Sequence, residues 1–139
     1  MNVMRLLIPG LLLVGCGDPN GFEAGCQSQV TFSVAAGLTP EIGWGPDCHL
    51  GILAVSVYPG LSLSPGQHVA GAAWMIQTAD QLGPDNLLQP TIQYGKLPSG
   101  ATALQGPQPL IAGTQYVVQG WVLDLQGQPI GAGTTAFRP

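Results

Sequence analysis

The chain has very little charge. Only 7% of its 139 residues are Asp, Glu, Lys or Arg, and three of these are basic: Arg5, Lys96 and Arg138. With no basic patch to neutralise phosphates, nucleic-acid binding is not expected. Histidine is as scarce, with only His49 and His68. General acid–base or metal chemistry needs polar groups that converge, and these two His and seven acids are thinly spread. No Gly-x-Ser-x-Gly elbow surrounds Ser56, Ser62, Ser64 or Ser99. Asp47, Asp80 and Asp85 lack the dense oxygen-ligand spacing of a calcium loop. The expectation is a non-enzyme without cofactor or metal. The competing reading is a small hydrolase or metal-dependent enzyme, with His49 or His68 beside a carboxylate. There is no internal repeat, heptad or low-complexity tract.

The abundant residues are turn formers: 21 Gly and 13 Pro. They argue against long helices and for many short strands joined by tight turns. Solubility rests on Gln, Thr and Ser.

The N-terminus reads as an address. Met1 to Arg5 carries one positive charge, and Leu6 to Val14 is apolar. That stretch is far shorter than the ~20 residues needed to span a bilayer, but it suits the hydrophobic part of a secretory signal. Leu13-Val14-Gly15-Cys16 closes it. These four residues resemble a bacterial lipobox, although Val14 is bulkier than usual and the charged segment is short. The resemblance implies a leader over residues 1–15, removed before Cys16, and diacylglycerol and acyl (palmitate-type) chains on Cys16. The alternative is an ordinary secretory signal with an unmodified thiol. Gly17 rather than Asp follows the Cys. By the enterobacterial sorting pattern this favours the outer over the inner membrane.

Residues 16–25 then form a tether, with Gly17 to Gly25 polar and Gly-rich. Its nine residues reach at most about 30 Å, so the domain should sit close to the membrane. Without Arg5, Lys96 and Arg138 face seven acids, a net charge of −5. Residues 26–139 are enough for one domain with a hydrophobic core. An exported chain meets an oxidising compartment, so Cys26 and Cys48 are expected to form a disulfide. A metal site that adds His49 is the alternative, without the paired spacing of zinc sites.

Strand and turn signals alternate from Cys26 onward. Val30 to Val34 alternates apolar and polar residues. Ile42 and Trp44 repeat that period between Pro40 and Pro46. Leu50 to Val57 is a near-continuous apolar run suited to a central strand. Ala72 to Thr78 carries Trp74 and Ile76 on one face, and Thr91 to Tyr94 alternates Ile92 and Tyr94. Tyr116 to Leu125 is the longest candidate. It places Val118 and Val122 on one face, and Val117, Trp121 and Leu123 on the other. Gln126-Gly127 turns the chain into Ile130 to Phe137. Of the two long connections, the one over residues 79–89 has room for a helical turn near Asp85 to Leu88.

Leu110 to Val118, with Gly113-Thr114 and Tyr116-Val117-Val118, resembles the stretch before the sixth strand of fibronectin type III domains. Trp44 followed by Pro46 resembles the core Trp of that family. The 72-residue interval from Trp44 to Tyr116 and the Cys26–Cys48 pair depart from its pattern. The resemblance implies an all-β, immunoglobulin-like (fibronectin type III-like) β-sandwich of about seven strands. It also implies a tyrosine corner at Tyr116, whose hydroxyl bonds back to the preceding backbone.

The expected whole is a lipid-anchored envelope protein with a non-catalytic interaction or structural module. Its partners would be the membrane, through the lipid, and an envelope protein or glycan. Trp74 and Tyr94, next to turn-rich segments, offer a second reading: an exposed platform that stacks on sugar rings.

Overall fold

The computed structural model describes Cys26, residues 29–60, Leu63, and residues 71–78, 86–124 and 126–139. The leader, Cys16, the tether, His68, Asp80 and Asp85 lie outside the described residues.

Among the described residues, eight strands form: β1 Thr31–Val34, β2 Glu41–Gly45, β3 Ile52–Val57, β4 Ala72–Thr78, β5 Ile92–Gln93, β6 Ala101–Gln105, β7 Tyr116–Leu123 and β8 Pro129–Phe137. They assemble into a three-stranded sheet, β1-β2-β5, and a five-stranded sheet, β6-β4-β3-β7-β8, antiparallel throughout. The result is an all-β, immunoglobulin-like sandwich. Seven of the strands coincide with the apolar alternations and the apolar run of the sequence. The eighth, β6, does not: Ala-Thr-Ala-Leu-Gln has no large alternating residues, and it lies half-exposed at the sheet edge. Asn86 to Leu88 do not make a helical turn. Leu88 instead pairs as an isolated bridge with Leu50, because the fully buried Leu50 backbone needs hydrogen-bond partners there.

The period of two sorts the side chains. Phe32, Ile42, Trp44 and Ile92 point inward from the small sheet. Leu53, Val55, Trp74, Ile76, Tyr116 and Val118 meet them from the large one. The outer face of the large sheet carries a second apolar cluster of Ile52, Ala54, Ala72, Met75 and Trp121, against which Leu63, Leu104 and Leu123 pack. That explains the near-continuous apolar run of β3, which is buried on both faces.

One side of the sandwich is closed where the chain entering β1 meets β8. The Val30 N–H donates to the Ala132 carbonyl at 2.8 Å. Gly133 permits this approach, since a Cβ there would collide with the Val30 carbonyl oxygen.

Candidate functional site

Cys26 and Cys48 are joined by a disulfide, with Cα atoms 5.0 Å apart. The bond ties the chain ahead of β1 to the β2–β3 connection. Two further bonds hold that corner: Cys26 N–H to the His49 carbonyl at 3.3 Å, and Trp44 Nε1–H to the Cys48 carbonyl at 2.9 Å. His49 enters through its backbone, and Asp47 is exposed. Among the described residues, no three His, Cys, Asp or Glu side chains converge.

Strand register sets the two ends of the sandwich. Gly45, Ile52, Leu123 and Pro129 lie toward the disulfide end, and Val34, Val57, Tyr116 and Phe137 toward the other. Cys26 therefore also lies at the disulfide end. Exposed Leu38, Tyr58 and Ile111 belong to connections at the remote end.

The stacking platform expected at Trp74 and Tyr94 is not there. Trp74 is 1% exposed and Tyr94 5%. Their rings meet edge to face at 5.2 Å in the core, an arrangement that adds about 0.5–1.5 kcal/mol to the burial itself. The Tyr94 hydroxyl donates to the Gln108 carbonyl at 2.6 Å and lies 3.2 Å from the Ala73 carbonyl. Burial, followed by the nearby Tyr116, pushes the Tyr94 phenol up to about 12, against the lowering effect of its bond to Gln108. Adjacent turn residues suggested exposure for these rings, but the strand alternation turns both inward.

Tyr116 is buried against Phe137, ring centroids 5.9 Å apart. Its hydroxyl accepts from the Ile111 N–H at 3.1 Å, which ties the ring to backbone five residues earlier. The role of the residue is architectural.

A groove of about 650 Å³ lies along β5. Thr91 to Gln93 form one wall, exposed Leu87 and Leu97 flank it, and Glu41 and Lys96 place one charge of each sign at its rim. Sequence reasoning missed this groove. The one available signal was the position of Lys96, the single lysine of the chain, beside Leu97-Pro98 and just after a short strand. No protein-family model, curated protein or solved structure matches the chain.

Proposed function

We propose that this chain is an exported bacterial lipoprotein, anchored through Cys16, whose sandwich serves as a non-catalytic interaction module of the cell envelope. The observation that carries the reading is the oxidised Cys26–Cys48 pair. Disulfides persist in oxidising compartments and are rare in the cytosol, so the bond agrees with the export signalled by residues 1–15. Cys16 lies ten positions before Cys26, and the disulfide holds Cys26 at one end of the sandwich. Two or more acyl chains on Cys16 would hold the protein durably at a bilayer. The β5 groove and the exposed apolar residues at the remote end favour contact with another polypeptide over chemistry.

Expression in a Gram-negative host tests the anchor. The wild-type chain is expected in the membrane fraction, and Cys16→Ser in the soluble periplasmic fraction. Equal partitioning of the two would remove lipid from the account.

A further inference from the structure

Among the described residues, β5 is hydrogen-bonded on one side only, to β2. In an antiparallel ladder, successive residues of a strand turn their N–H and C=O groups to opposite sides. The Tyr94 N–H donates to the Pro40 carbonyl at 2.9 Å, and Ile92 is paired with Ile42. Tyr94 and Ile92 therefore face β2, and Thr91 and Gln93 face away. The Gln93 carbonyl takes the Lys96 N–H at 3.0 Å. The Gln93 N–H and both backbone groups of Thr91 have no partner among the described residues. The groove runs along these groups.

The other edges are managed differently. The chain entering β1 meets β8 through the Val30–Ala132 bond. The edge of β6 is interrupted by an irregular register opposite Met75 and Ile76, a device that discourages strand addition. Next to the β5 edge there is instead a shaped groove. Leu87, 48% exposed, and Leu97, 51% exposed, supply apolar walls, and Glu41 and Lys96 stand exposed at the rim. An open backbone edge beside side-chain subsites is the arrangement by which domains bind an extended peptide as an added strand.

Resting on the interaction-module reading above, we propose that the free edge of β5 is a docking site for an extended segment of a partner polypeptide, paired with Thr91 and Gln93, with an acidic side chain at Lys96, a basic one at Glu41 and an apolar one between Leu87 and Leu97. The two opposite charges on the rim call for the reverse pair on the ligand, which gives the segment a direction.

The test is selection of a random displayed peptide library on the full chain in detergent. Enriched peptides should combine an acid, a base and an apolar residue. Gln93→Pro removes the edge N–H from a position where proline is tolerated, and should weaken their binding by at least about tenfold. The exposed charge exchange Glu41→Lys with Lys96→Glu should weaken it comparably, and keeps the test available if Gln93→Pro does not fold. The bound peptide should protect the Gln93 amide from hydrogen exchange. Absence of enrichment, or peptides indifferent to both variants, overturns the proposal. So does concentration-dependent protection of Gln93 in the peptide-free chain, which would assign the edge to a second copy. An unlipidated chain that still selects such peptides would sink the anchor alone, and a lipidated chain that selects none would sink the groove alone.

Discussion

The Asn86 side chain pairs with the Leu123 backbone as a strand would. Its Nδ2 donates to the Leu123 carbonyl at 2.9 Å, and its Oδ1 accepts the Leu123 N–H at 2.7 Å. The carboxamide thus caps the end of β7 beyond the reach of β3. Gly51 makes room for it: a Cβ there would stand 2.7 Å from Asn86 Oδ1 and 2.6 Å from Leu123 Cγ. Each bond is worth about 1 kcal/mol net, and more if its loss leaves the backbone group buried and unpaired. Asn86→Ala should therefore lower stability by roughly 2 kcal/mol in urea titration. Asn86→Asp should not rescue it, because its second oxygen would face the Leu123 carbonyl. Wild-type stability in either variant would show that the clamp contributes nothing.

Reduction of the Cys26–Cys48 bond should have a larger effect. The closed loop spans 22 positions, for which the chain-entropy estimate is about 3 kcal/mol. Cys26→Ser with Cys48→Ser should show a loss of that order by denaturant unfolding. A loss below about 1 kcal/mol would mean that the backbone bonds around His49 and Trp44 already hold the corner.

Tyr94 makes stability fall at high pH. Its phenol is neutral in the fold up to about 12, but ionises near 10 in the unfolded chain. Between these values the folded state binds more protons, so stability is fully present below about pH 10 and declines as pH rises toward 12. Urea midpoints measured across that window should drop more steeply for wild type than for Tyr94→Phe. Parallel curves would contradict the assignment of this decline to Tyr94.

Ser56 is fully buried on β3, and its Oγ has no hydrogen-bond partner among the described residues. An unpaired buried hydroxyl costs stability. Ser56→Ala should be neutral or stabilising by up to about 1 kcal/mol. A clear drop in the thermal midpoint would show that the hydroxyl has a partner after all.

Most of the architecture was legible because every strand but β6 carries apolar patterning: alternation in most, and in β3 a continuous apolar run buried on both faces. On β7 the sequence separates Val118 and Val122 from Trp121 and Leu123, and the structure puts the first pair in the inner core and the second in the outer cluster. β6 was not legible because it is an edge strand of small and polar residues, positioned by pairing with β4 rather than by burial. The Asn86 clamp acts across 37 positions, and no local pattern announces such a contact. Trp74 and Tyr94 were read by their neighbours, although their own alternation already pointed to the core. The β5 groove depends on which backbone groups remain unpaired, and that is a property of the assembled sheet.

Export and lipid at Cys16 are proposed to hold this sandwich on a membrane. Mass spectrometry of the N-terminal peptide, from protein extracted out of a bacterial envelope, tests this most directly. The expected peptide begins at Cys16 and carries the added mass of diacylglycerol and fatty acyl groups. A peptide beginning at Met1, with Cys16 as an unmodified thiol, would contradict it.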